Sequence, residues 1–143
     1  MKILPGILIV LSINLAAVAT AQNSTEPTSA AKKKRKASSA KIQYGTASYY
    51  SNKFNGKMTA NGEVYDSKKF TAAHNGLPLG TWVKVTNQSN HRSVVVKIND
   101  RLHYKNPRLI DLSGAAAKKL GFTGHGLTKV KVEVLGKDLP ANR

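Results

Sequence analysis

The densest apolar alternation in the chain is Val94-Val95-Val96-Lys97-Ile98-Asn99-Asp100-Arg101, where Val94, Val96 and Ile98 alternate with Val95, Lys97 and Asn99. A period of two in β-branched residues predicts a strand with at least one buried face. The strand runs out into a carboxylate and a guanidinium, at the place where a barrel or sandwich opens to solvent and sites collect. Trp82-Val83-Lys84-Val85-Thr86 alternates in the same way, and Gln88-Ser89-Asn90-His91 turns the chain between the two as a hairpin. Val130, Val132 and Val134 alternate with Lys129, Lys131 and Glu133 in a last strand. A first strand begins near Ile42, and Gly45 within it marks a bulge or a close approach. Phe70 to His74 and Arg108 to Ile110 read as short strands. Ser113 is placed to cap a single helix through Ala115–Leu120, with Gly121 at its C′ position. Ser51 to Ser67 is crowded with Asn, Gly and Asp and predicts a long surface loop. Short strands, Gly-rich connections and one helix imply a mostly β domain closed into a barrel.

The flanks of this pattern differ from it. Met1-Lys2, the apolar run Ile3–Val18 and Ala19-Thr20-Ala21 have the form of a secretory signal, with cleavage expected after Ala21. Residues 22–41 are polar and small, and carry the cluster Lys32-Lys33-Lys34-Arg35-Lys36; they predict a disordered basic linker. The expected organisation is therefore a signal at 1–21, the linker at 22–41, a barrel domain at 42–136 and a loose tail at 137–143. The excess of 23 basic over 7 acidic residues, a formal charge of +16, favours a polyanionic partner. Export points that charge at anionic envelope polymers rather than nucleic acid, and the basic cluster is the segment expected to meet them. The absence of cysteine rules out a disulfide framework, a cysteine metal site and a thioether lipid anchor. The expectation is a periplasmic, envelope or extracellular protein with no stable membrane anchor.

Seven carboxylates allow the acid–base candidates to be enumerated. Glu26 lies in the linker, Glu133 on the solvent parity of a strand and Asp138 in the tail. Asp66 reads as a turn residue, and Asp111, two residues before the helix cap, as a partner for helix amides or a nearby loop. Glu63, presented by the tight turn Asn61-Gly62, and Asp100 remain. The four histidines have no metal-ligand spacing; only His74 closes an apolar segment and is able to face a site. No Gly-x-Ser-x-Gly elbow or phosphate-binding glycine loop is present. No metal or cofactor is implied, and carboxylate chemistry on a polymer, with glycoside cleavage as the obvious case, is the enzyme option left.

Five motifs then stand in order: Gly45-Thr46-Ala47-Ser48-Tyr49-Tyr50; Thr59-Ala60-Asn61-Gly62-Glu63; Ala72-Ala73-His74 with Leu77-Pro78-Leu79-Gly80; Val96-Lys97-Ile98-Asn99-Asp100-Arg101; and Ile110-Asp111-Leu112-Ser113. Together they resemble the rare lipoprotein A family. The resemblance implies a six-stranded double-psi β-barrel with one short helix, and an endolytic lytic transglycosylase that cuts peptidoglycan between N-acetylmuramic acid and N-acetylglucosamine with 1,6-anhydro ring formation. It implies catalytic roles for Asp100, Glu63 and His74, with Asp100 as acid, Glu63 assisting and His74 hydrogen-bonding substrate. Tyr49, Tyr50, Asn61, Asn99 and Arg101 are the accompanying candidates for substrate binding, the two tyrosines either by stacking on sugar faces or, equally, as aromatics of the core or rim.

The chain departs from the family pattern beside the acid, where Leu102-His103-Tyr104 replaces Gly-Pro-Phe. That substitution keeps a second reading open, a non-catalytic, expansin-like module that binds or loosens wall glycan. Nucleic-acid binding through the basic excess is a third reading, and it requires a cytoplasmic chain.

Overall fold

A computed structural model describes residues 41–139 of the chain. The expected signal, nearly all of the linker with its Lys32–Lys36 cluster, and the end of the expected tail lie outside the described residues. Six strands and one helix occur in the order β1 (Ile42–Tyr49), β2 (Thr71–Ala73), β3 (Trp82–Asn87), β4 (Ser93–Asp100), β5 (Ile110–Leu112), α1 (Gly114–Leu120) and β6 (Thr128–Gly136). The strands close into a barrel in the spatial order β1-β5-β2-β4-β3-β6. Two neighbouring pairs, β1 with β5 and β2 with β4, run parallel, and the other four are antiparallel. This is the mixed six-stranded double-psi barrel with a single helix that the motifs implied.

The alternation read from the chain is the alternation of the barrel wall. Val83, Val85, Val94, Val96, Ile98, Val130 and Val132 are all buried in one apolar core, which Leu120 and Phe122 extend beneath α1. The Ser113 side chain accepts from the Ala116 amide, and Gly121 ends α1 in the left-handed region at φ 75°. Gly45 is a close approach: a Cβ there would stand 2.6 Å from Leu109 Cβ, on the chain entering β5.

One boundary differs from expectation. The strand expected at 108–110 lies at 110–112, because Ile110, Asp111 and Leu112 all pair with β1, and Asp111 and Leu112 pair with β2 as well. Arg108 is left outside the ladder and reaches the Asp111 carboxylate, so of the two roles expected for that aspartate it takes the one toward a nearby loop. The last strand ends at Gly136, and the Lys137 ammonium just beyond it donates to the Leu79 carbonyl.

Candidate active site

The site begins with an irregularity in β4. Thr71 stands opposite Lys97 and Ala72 opposite Ile98, but Ala73 stands opposite Asp100, so Asn99 is an extra residue in the β2–β4 ladder. A bulge breaks the alternation of faces and re-aims the side chains beyond it. Ile98 and Asn99 are accordingly both buried, and Asp100 emerges half-buried at the barrel rim.

Three donors hold the Asp100 carboxylate. Oδ1 accepts from the backbone amides of Ala60 at 3.0 Å and Arg101 at 2.8 Å. Oδ2 accepts from the Tyr50 hydroxyl at 2.7 Å. Burial, reinforced by this hydrogen bond to Asp100, pushes the Tyr50 phenol well above its ordinary range, so it remains a donor. The Tyr50 ring is fixed edge-on by Tyr65, with centroids 4.7 Å apart, and packs at a tilt on Phe54.

Asp100 and Tyr50 line a cavity of about 440 Å³ whose wall includes Phe54, Tyr65, Leu102 and His103. Asp111 lines it too, but both its oxygens are bound by Arg108, Nε to Oδ1 at 2.8 Å and Nη2 to Oδ2 at 2.9 Å. Of the cavity's two carboxylates, Asp100 is the one with no cationic side-chain partner among the described residues.

Glu63 faces elsewhere. Its Oε1 accepts from Lys97 Nζ at 2.7 Å and its Oε2 from Asn99 Nδ2 at 3.2 Å. Those hydrogen bonds, the Lys97 one first, hold the Glu63 carboxyl down at about 2. It lines a second groove, with Trp82 and Phe70, and not the cavity of Asp100. The two acids thus stand on either side of the loop 59–63. That loop is tied from within, because Asn61 Oδ1 accepts from Thr59 Oγ1 and from the Glu63 amide. It is tied to β4 through the Asn61 amide and the Asn99 carbonyl, 3.1 Å apart. Asn61 and Asn99, expected to bind substrate, act here in shaping this loop.

His74 does not present a ring nitrogen to the cavity. It is 3% exposed. Its Nδ1 accepts from the amides of Gly76 and Leu77, which puts the proton on Nε2, 2.8 Å from Gln43 Oε1. Burial first, then the Arg101 and Lys41 charges, lower its affinity for a second proton. The ring organises the turn after β2, and its backbone amide holds the Asp100 carbonyl at 3.1 Å. Arg101 lines the cavity and donates Nη1 to the carbonyls of His74 and Leu77, so it clasps the same turn. Tyr49 takes the core alternative of its two readings. Its hydroxyl donates to the Thr123 carbonyl and its ring meets Phe122 edge-on, so it belongs to the core margin rather than the cavity.

Gln43 and Lys97 also shape the site, although neither belongs to the set of candidates that the sequence suggests. Lys97 carries a signal, as a lone cation on the outward parity of an otherwise apolar strand. Gln43 carries none.

A family model described as lytic transglycolase matches residues 42–132. The endolytic peptidoglycan transglycosylase RlpA of Haemophilus influenzae is 52% identical over 94 residues, which cover 66% of this chain and 33% of that protein. The protein of the same name from Pseudomonas aeruginosa is 56% identical over 89 residues, 62% of this chain and 26% of that one. The chain thus aligns with a third or less of these relatives' own length. Among solved structures, a Streptomyces papain inhibitor superposes with a TM-score of 0.54 at 25% identity, covering 66% of this chain and 94% of that one. The expansin of Clavibacter michiganensis gives 0.56 at 18% identity, covering 70% and 53%, a likeness of fold.

Proposed function

The chain belongs to the lytic transglycolase family, and from that membership we propose that its barrel is an endolytic peptidoglycan lytic transglycosylase with Asp100 as both acid and base. One observation carries the reading: the Asp100 cavity offers a single carboxylate that is not locked by a cation. Hydrolysis of a glycoside ordinarily needs a second carboxylate to activate water or to attack the sugar. Asp111 is bound by Arg108, and Glu63 lies across the loop. One carboxylate suffices when the nucleophile is carried by the substrate.

In the proposed reaction a proton on Asp100 passes to the glycosidic oxygen as the C1–O bond of N-acetylmuramic acid breaks. The C6 hydroxyl of the same sugar attacks C1, forming the 1,6-anhydro ring, and its proton returns to Asp100. No water is consumed, and the enzyme ends in its starting protonation state. The Tyr50 hydroxyl and the Ala60 and Arg101 amides orient the carboxylate through both steps. The role lies in cell-wall remodelling, and it includes export through the leader expected at residues 1–21.

The test is mass spectrometry of material released from purified peptidoglycan by the mature chain, with Asp100→Asn beside it. Anhydro-muramyl ends that disappear in the variant are expected. Reducing ends instead would make the protein a hydrolase, and no release with retained binding would make it a wall-binding barrel.

A further inference from the structure

The outer face of the barrel carries a row of residues set by strand register. Lys97 on β4 has Thr71 of β2 as its neighbour on one side and Trp82 of β3 on the other. Side chains at paired positions project from the same face of a sheet, so Thr71, Lys97 and Trp82 form the floor of one groove. Phe70, 43% exposed, Glu63, Lys69, Val95 and Leu139 complete it, and its volume is about 580 Å³.

This groove is amphipathic in a particular way. Trp82 and Phe70 offer aromatic rings at its surface, whereas Lys69 and the Glu63–Lys97 pair supply polar groups beside them. A pyranose suits such a surface, with C–H faces for the rings and hydroxyls for the rim.

Position identifies which sugar. The loop 59–63 is the wall between this groove and the Asp100 cavity: Thr59 lines the cavity and Glu63 lines the groove. We infer that the groove is a distal subsite for the same glycan strand, which crosses the loop and rests a sugar remote from the scissile bond on Trp82 and Phe70. This inference rests on the proposed glycan-cleaving function and adds a dependence on chain length. A fragment confined to the cavity forgoes the distal contacts, whereas a longer strand makes both.

Trp82 is the only tryptophan in the chain, so its emission reports this groove alone. The experiment titrates the Asp100→Asn protein with peptide-free glycan disaccharide, tetrasaccharide and hexasaccharide, tracking both tryptophan emission and calorimetric heat. The hexasaccharide is expected to change the emission while the disaccharide binds without changing it. In the same background, Trp82→Ala should weaken hexasaccharide binding by about tenfold, the scale of one aromatic contact, and leave the disaccharide unchanged. Trp82→Phe, which keeps a ring, should retain most of the affinity.

Hexasaccharide heat with unchanged emission, or equal affinities in Trp82→Ala, would overturn the subsite; so would quenching by free stem peptide and by no glycan. If the wild type releases anhydro-muramyl ends while the emission stays silent, the subsite falls and the proposed function stands. If the emission responds to long glycan but the wild type releases nothing, the subsite stands and the catalytic reading falls.

Discussion

The Tyr50 hydroxyl lies 2.7 Å from Asp100 Oδ2, on the opposite side of the carboxylate group from the two amides on Oδ1. This divides the labour of the carboxylate. Oδ1 is fully occupied by backbone, which does not move with a side-chain rotamer. Oδ2 keeps one lone pair beyond its tyrosine contact, and in the proposed reaction that is where a sugar oxygen exchanges a proton with it.

Tyr50→Phe removes only the hydroxyl, because the ring contacts with Phe54 and Tyr65 survive. Release of anhydro-muramyl product should fall by about tenfold to a hundredfold in kcat, the loss of one hydrogen bond to a charged group. KM should change little, since Tyr50 orients the acid rather than holding substrate. A rise in KM with kcat preserved would assign the ring to sugar binding instead.

Glu63 gives a pH signature of its own. Its carboxyl titrates at about 2 in the fold against an ordinary 4.5, so the native state binds fewer protons than the unfolded chain between those values. The Glu63 contribution is therefore complete above pH 4.5 and is lost as the pH falls towards 2. Both partners are solvent-screened, with side chains 32% and 43% exposed, so about 1 kcal/mol is the expected size. Urea midpoints measured across that window should fall less steeply in Glu63→Gln than in the wild type.

His74 acts in a higher window. Its Nδ1 is an acceptor from two amides, and protonation destroys that role. The unfolded chain takes up a proton as the pH drops through about 6.5, while the folded histidine, its pKa lowered, resists. Stability should therefore decline as the pH falls from about 6.5 down through the folded value. The other described histidines, His91, His103 and His125, are exposed. His74→Gln should lower stability at neutral pH and flatten this decline.

Gly45→Ala tests the β1–β5 contact. The new methyl would stand 2.6 Å from Leu109 Cβ, an atom fixed to the backbone, so a strand has to shift. The expected cost is about 1–3 kcal/mol, read as a fall in the thermal midpoint. Gly124→Ala, where an added Cβ meets nothing within 4 Å, is the matched control and should be nearly neutral.

Much of the barrel was legible in the chain because its core strands alternate without interruption. Val94, Val96 and Ile98 had to share a face, and Ser113 and Gly121 bracket the helix by chemistry that leaves few alternatives. The site was less legible for one physical reason: it starts where alternation stops. An extra residue at Asn99 leaves no trace in the pattern of apolar side chains, so the divergence of Asp100 from Glu63 was hidden. His74 was ambiguous because an acceptor for two turn amides looks, in sequence, the same as a histidine at a groove. The Trp82–Lys97–Thr71 row depends on register across three strands, and its members meet only through the fold, not along any local motif.

The closing strand of the barrel has a further consequence. β6 is paired on one edge with β1 and on the other with β3, so the last strand to be synthesised is the one that seals the cylinder. Until it arrives, β1 and β3 are open edges, able to pair with another chain, and the contacts it makes with β1 span nearly the whole domain. The barrel cannot be finished while its C-terminal end is still on the ribosome. Folding is thus deferred until the domain has emerged, and a chain cut before Thr128 would carry two sticky margins in place of a closed wall.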